Sequence, residues 1–196
     1  MLRASSLLAL FVWPALVFGQ ASANVNVRGT IESFADNRLV VRTGDGRTVD
    51  VTIPESVNVA TTRPFAMSDV KPGMKLGVTT IVRADGQIVA IDVRPISETA
   101  NVGLSPYDLQ TGSTMTNGIL EAVVDSAGGR EILLNYQTGQ VKVLVPPETA
   151  MSRAAPGARG DLKPGETVYA ATRRGENGAL TAIRVQVSKD GVKPTQ

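Results

Sequence analysis

The chain has 196 residues, with 20 Lys+Arg against 18 Asp+Glu and neither histidine nor cysteine. A formal net charge of +2, with no more than two cations adjacent anywhere, is far from the dense basic patch of a nucleic-acid binder. Without imidazole or thiol there is no usual general base, no thiol nucleophile, no ordinary zinc ligand and no disulfide.

Met1–Ala23 opens with Arg3, its only charge, and continues through an apolar run from Leu7 to Phe18 to a small-residue end, Ala21-Ser22-Ala23. That is the layout of a cleaved export signal. The run contains Pro14 and falls short of the roughly 20 residues that span a bilayer. Residues 1–23 are therefore expected to be removed, leaving a soluble periplasmic protein from Asn24 with no membrane span of its own. Trp13, the single tryptophan, lies in this segment.

From Asn24 the pattern is that of short strands. Val25, Val27, Gly29 and Ile31 alternate with Asn26, Arg28, Thr30 and Glu32, the period of a half-buried strand. Gly29 within it predicts a bulge or sharp bend. Asp36-Asn37 turns the chain into Leu39-Val40-Val41, and Asp45-Gly46 turns it into Val49, Val51 and Ile53, closed by Pro54. Asp-Gly between alternating strands is a hairpin signal, because both residues tolerate positive φ. Glu55–Val70 is irregular, with a helical turn expected near Ser68-Asp69-Val70. Lys71-Pro72-Gly73 then feeds a second hairpin, Lys75–Arg83 and Gln87–Arg94, about Asp85-Gly86. Five strands with a break after the third predict a small Greek-key barrel of the oligonucleotide/oligosaccharide-binding (OB) type over residues 24–97, with an open two-sheet roll as the rival.

Residues 98–114 break the periodicity and read as an interdomain strap, in which Leu104, Tyr107 and Leu109 could enter a seam between barrels or a ligand-contacting loop could lie. Residues 115–189 repeat the plan, and residues 190–196 read as a frayed tail. The repeat is explicit: Asp69–Val93 recurs as Asp161–Val185, 92 residues on, with Asp, Lys-Pro-Gly, Thr, Gly, Ala-Ile and Val retained. Val49, Val51, Ile53 and Pro54 keep the same offset in Val141, Val143, Val145 and Pro146. A repeat of this length means one supersecondary unit built twice. The expected fold is all-β, two OB-like Greek-key barrels of five or six strands in tandem, held against each other at a fixed interface.

Reactive chemistry is sparse. Asp45 and Asp85 precede glycine in turns, where aspartate is chosen for backbone reasons. No stretch has the oxygen-ligand spacing of a calcium loop. Serines lack a base, and Lys71 and Lys163 both precede proline in turns. No catalytic residue, metal site or cofactor is expected, and the chain is not expected to be an enzyme. Arg173-Arg174, the densest cation cluster after the leader, could grip a carboxylate or phosphate or form a solvated hairpin end.

The strap Tyr107-Asp108-Leu109-Gln110-Thr111-Gly112-Ser113-Thr114-Met115-Thr116-Asn117, together with Val27–Phe34 and Lys163-Pro164-Gly165, resembles a family of exported two-barrel proteins of alphaproteobacteria. Tyr107 stands where the family pattern has tryptophan, and Pro106-Tyr107 where relatives can carry His and Trp. Members bear a bacterial OB-like domain of unknown function and often the label metal ABC transporter permease. The resemblance implies the fold and an envelope location, and marks Tyr107 and Asp108 as contact candidates beside Arg173 and Arg174. Two functions follow as expectations: a non-catalytic periplasmic module binding an envelope protein or glycan, or a metal-handling accessory of an ABC transporter drawing on Asp36, Asp45 and Asp85.

Overall fold

The computed structural model describes residues 24–195; the expected export signal lies outside them. The chain order is β1 (Asn24–Ala35), β2 (Arg38–Thr43), β3 (Thr48–Thr52), β4 (Val59–Pro64), β5 (Lys75–Val82), β6 (Ile88–Pro95), β7 (Gly103–Pro106), β8 (Thr114–Ser126), β9 (Gly129–Tyr136), β10 (Gly139–Val145), β11 (Ala150–Pro156), β12 (Thr167–Arg174) and β13 (Leu180–Val187). Two three-residue helical turns, Met67–Asp69 and Arg159–Asp161, precede β5 and β12. The protein is an all-β barrel fold.

Strand pairing closes two rings. In ring A, β1 pairs β2, β2 pairs β3, β3 runs parallel to β13, β13 pairs β12 and β12 returns to β1. In ring B, β8 pairs β9, β9 pairs β10, β10 meets β6 in parallel, β6 pairs β5 and β5 returns to β8. Each ring has its own apolar core. Ring A encloses Ile31, Leu39, Val41, Val51, Val168 and Val185; ring B encloses Leu76, Val78, Val93, Leu120, Leu134 and Val143, all at most 1 % exposed. Burying one such side chain fully is worth about 1.5–3 kcal/mol, so these two closed cores are the main apolar contribution to holding the short strands together.

The rings are not the contiguous units 24–97 and 115–189 of the sequence-based expectation. Ring B is made by the middle of the chain, β5 to β10, while ring A joins the first three strands to β12 and β13 from the far end. Along the chain, ring B is inserted between the β3 and β12 strands of ring A. Alternation fixes which face of a strand is buried and leaves the identity of its neighbour open. Because β5–β6 and β12–β13 carry like sequences, either hairpin presents an apolar face that could close on β1. The connections β4 and β11 pair antiparallel with each other, and lie parallel to β13 and β6 respectively. They join the two rings into one 13-stranded sheet system.

The turn Lys71-Pro72-Gly73 and its counterpart Lys163-Pro164-Gly165 explain why a fourth strand docks where it does. The Gly73 N–H, at φ 88°, donates to the Leu120 carbonyl (2.7 Å), and the Gly165 N–H, at φ 89°, to that of Ile31 (2.9 Å). Each acceptor sits at a bulge of a ring's first strand, before Glu121 in β8 and before Glu32 in β1. Gly29 lies beside one bulge because a Cβ there would meet the Arg42 carbonyl oxygen at 2.1 Å; Gly118 holds the same place in β8, where the nearest atom would be the Asn135 carbonyl oxygen at 2.9 Å. These two strands match at an offset of 89, not 92, because the β8–β9 hairpin is four residues longer than β1–β2, and the β9–β10 hairpin one residue shorter than β2–β3.

Local expectations meet three corrections. Asp36 and Asn37 both take positive φ (49° and 64°), while in the Asp45-Gly46 and Asp85-Gly86 turns only the glycine does. There the aspartate instead accepts from the backbone two residues on, Arg47 N (3.3 Å) and Gln87 N (2.9 Å). The strap 98–114 contains a strand, β7, paired to β8. The tail expected to fray is tied down through Thr195: Asp190 pairs with Arg63 (2.9 Å), Val192 bridges Lys189, and the Thr195 and Ser152 hydroxyls are 3.1 Å apart.

Candidate functional site

Tyr107 and Asp108 converge where the strap leaves ring B and crosses onto ring A. The strap is braced by Ser113: its carbonyl accepts from Tyr107 N (2.9 Å), and its hydroxyl lies 2.9 Å and 2.8 Å from the Tyr107 and Gln110 carbonyl oxygens. That brace sets Asp108 over β1, where its Oδ1 accepts from Asn26 Nδ2 (2.9 Å) and Arg28 Nη2 (2.8 Å). The Arg28 guanidinium lies 5.4 Å from the ring centroids of both Tyr107 and Tyr169, within cation–π range. Tyr169 of β12 is the register partner of Arg28 and donates its hydroxyl to Asn26 Oδ1 (3.0 Å).

The electrostatics fit a clamp. For Arg28, burial acts to lower the pKa, but the bond to Asp108 and the neighbouring Tyr107 outweigh it, and the net direction is up. For Asp108, burial acts upward, while the bonds from Arg28 and Asn26 hold the carboxyl below its usual range. Burial, with Tyr107 beside it, pushes the Tyr169 phenol up to about 12. Asp108 is bonded through one oxygen to both Arg28 and Asn26, so the cluster fastens the strap to β1.

Arg173 and Arg174 lie elsewhere, at the far end of β12, roughly 16 Å from Tyr169 by strand rise over five residues. Both are exposed, and Arg174 Nη1 donates to the Gly178 carbonyl (3.3 Å) across its own hairpin. Arg174 also lines a groove of about 590 Å³ at the mouth of ring A, between the β2–β3 and β12–β13 hairpins. Its lining mixes apolar residues, among them Val25, Val27, Val49 and Leu180, with polar ones, among them Thr43, Thr48, Asp50 and Asn177. Tyr107 and Asp108 thus belong to a strap clamp and Arg174 to the groove, while Arg173 is exposed beside it and does not line it.

A third cluster centres on Asp92, a carboxylate for which the sequence suggests at most an acid–base pairing with Asp85 and not its actual partners. Asp92, fully buried on β6, takes hydrogen bonds from Arg94 Nη1 and Thr79 Oγ1 (3.1 Å), and Arg94 is 9 % exposed. Burial pushes the Asp92 carboxyl up, with Arg94 working against it. Thr195 adds to the pull against burial on the Asp92 carboxyl, while Asp92 Oδ1 and Arg94 Nε make no hydrogen bond of good geometry. Arg94 acts electrostatically on Arg184 of β13, the strand on which Gln186 Nε2 donates to Thr62 Oγ1 (3.2 Å) and whose Val187 carbonyl accepts from Thr62 Oγ1 (3.0 Å). The only signal of the Asp92–Arg94 pairing in the sequence was a polar residue in an alternating strand, the mark of a solvated face.

Asp36, Asp45 and Asp85 sit in three separate turns. Thr43 and Arg47 bond the Asp45 carboxyl and hold it down to about 2. Among the described residues, no three Asp or Glu side chains converge as a metal-binding group. Among the same residues, no helix is long and apolar enough to cross a membrane. Comparison with protein-family models finds no match, and comparisons with curated proteins and with solved structures find none either.

Proposed function

We propose that this chain is a non-catalytic binding or interaction module of the periplasm, engaging an envelope protein or glycan at the mouth of ring A. The observation that carries this reading is the groove of about 590 Å³ between the two hairpins, lined by the apolar Val25, Val49 and Leu180 together with the polar Thr48, Asn177 and Arg174. Apolar surface with a few convergent polar groups is what a binding cleft needs to hold and orient a ligand. Barrels of this kind bind extended chains across one face and its loops, although a fold alone assigns no ligand. The lack of histidine and cysteine supports binding over catalysis, and the leader-like Met1–Ala23 supports an exported location.

The test is an amide-shift titration of Asn24–Gln196 with peptidoglycan fragments, envelope oligosaccharides and periplasmic protein fractions. Saturable shifts at Thr48, Asn177 and Arg174, lost in Arg174→Ala, are expected from one of them. Shifts confined to another surface, or none from the whole panel, would overturn the groove as the site.

A further inference from the structure

The groove at the mouth of ring A contains a length of strand edge that no strand covers. In the β2–β3 ladder the Thr43 N–H donates to the Arg47 carbonyl (2.8 Å) and the Ile53 N–H to that of Asn37 (2.7 Å). Bonded positions of an antiparallel pair recur at every second residue. Val49 and Val51 therefore direct their backbone groups to β2, while Thr48, Asp50 and Thr52 turn theirs away from it. On that second edge β13 reaches only Val51 and Thr52, through Leu180 and Thr181. The slanted parallel bonding at Leu180 also takes the Asp50 carbonyl. The N–H and C=O of Thr48 and the N–H of Asp50 are left without a strand partner among the described residues, and both residues line the groove.

The same groove carries an unbalanced cation. Arg47 is paired with Asp45 (2.7 Å) and Asp50 with Arg38 (2.8 Å). Arg174 donates only to the Gly178 carbonyl (3.3 Å), and Arg173 stands exposed beside it. Among the described residues neither arginine pairs with a carboxylate, not even with Glu176 of their own hairpin. Ring B is closed to such use. At the places of Thr48, Asp50 and Arg174 it has Gln140, Lys142 and Val82. Lys142 pairs with Glu131 (3.2 Å) and Gln140 Nε2 donates to Glu121 (2.6 Å). A lysine on a strand edge is a common guard against pairing with another chain.

We infer that the ring A groove takes an extended acidic polypeptide segment, paired as an added strand on Thr48 and Asp50, with a carboxylate of the segment at Arg174. This rests on the groove being the binding site, and it chooses the protein over the glycan as its occupant. A peptide backbone repeats N–H and C=O at strand spacing, which is what an uncovered strand edge matches; a glycan has no such repeat. The carboxylate answers the one guanidinium of the lining that no acid neutralises, and a planar fork holds it through two parallel bonds. Alternate side chains of the segment meet the apolar lining, Val25 and Leu180 among it.

The experiment titrates the Asn24–Gln196 chain with capped Val-Thr-Glu-Thr-Val, with the same peptide carrying Gln for Glu, and with an N-acetylglucosamine oligomer. Amide shifts locate binding, and amide exchange reads strand pairing. Expected are saturable groove shifts with the Glu peptide and slowed exchange of the Thr48 and Asp50 amides. The Gln peptide should bind about threefold more weakly, and Arg174→Ala should remove that preference. Thr48→Pro withdraws one donor from the uncovered edge and keeps the ladder to β2, because the first residue of an edge strand tolerates proline. It should weaken the Glu peptide about fivefold. Groove shifts from the oligomer and none from the peptides would overturn the polypeptide occupant while leaving the groove as the site. Peptide shifts without slowed exchange at Thr48 and Asp50 would overturn the strand pairing, and equal affinity of the two peptides the acidic preference. A folded Thr48→Pro that binds the Glu peptide as tightly as the parent chain would contradict the inference as well.

Discussion

Thr172 Oγ1 donates to the Val25 carbonyl at 2.7 Å, joining register partners that lie 147 residues apart. Ring A exists only through such contacts between the first and last parts of the chain, whereas ring B closes within residues 75–145. It follows that the fragment Asn24–Ser97, which carries β1–β3 and β5–β6, cuts both barrels. Its amide spectrum should be collapsed and its circular dichroism disordered. The fragment Lys75–Val145 contains every ring B strand and should give dispersed amide resonances, although at that size it is marginally stable. A well-folded Asn24–Ser97 would count against the nested topology.

Gly29→Ala drives a Cβ into the Arg42 carbonyl, which belongs to the backbone and cannot rotate away. A loss of about 3 kcal/mol is expected, at the upper end of overpacking costs. Gly118→Ala, with 0.8 Å more room (2.9 Å against 2.1 Å), should cost less, about 1 kcal/mol. Urea melts of the two variants check the order.

The Asp108 carboxyl is held below its usual range in the folded state, so its contribution to stability is present above the unfolded pKa and lost as pH falls through the lowered folded one. Acidification should release the strap in that window, read as a change in Tyr107 and Tyr169 fluorescence, which no tryptophan obscures once the leader is gone. With Asp108 53 % exposed, solvent screening keeps the effect to at most about 1 kcal/mol. Asp108→Asn should abolish the transition, and a transition unchanged in that variant would assign it elsewhere.

Arg159→Met removes three hydrogen bonds to acceptors at one end of ring A, and should destabilise by about 2–4 kcal/mol. A thermal melt of the variant checks this.

How much of this was legible in the sequence depends on what alternation encodes. Strands such as Thr48–Thr52 and Ile88–Pro95 were readable because period two states which side chains are buried. Their partners were not, because Thr80 and Thr172 sit in repeats alike enough that either could oppose Val25. The offset of 89 between Gly29 and Gly118 was hidden behind the dominant offset of 92. Tyr107 and Asp108 were legible as a contact of the strap. Their partners Asn26, Arg28 and Tyr169 were not, since outward-facing polar positions on strands look alike whether they meet water or a strap. The Asp92–Arg94 pair escaped for the same reason.

The nested topology can be tested most directly with cross-strand cysteine pairs, since the chain has no cysteine of its own. Thr30 and Thr167 are register partners across β1 and β12, and paired Cβ atoms on neighbouring strands lie about 5 Å apart. Lys75, 92 residues before Thr167, would take that place if β5 closed the first barrel. In oxidised monomer, Thr30→Cys with Thr167→Cys should form an intramolecular disulfide, and Thr30→Cys with Lys75→Cys should not. The reverse result would mean contiguous barrels and contradict the insertion of ring B between β3 and β12 of ring A.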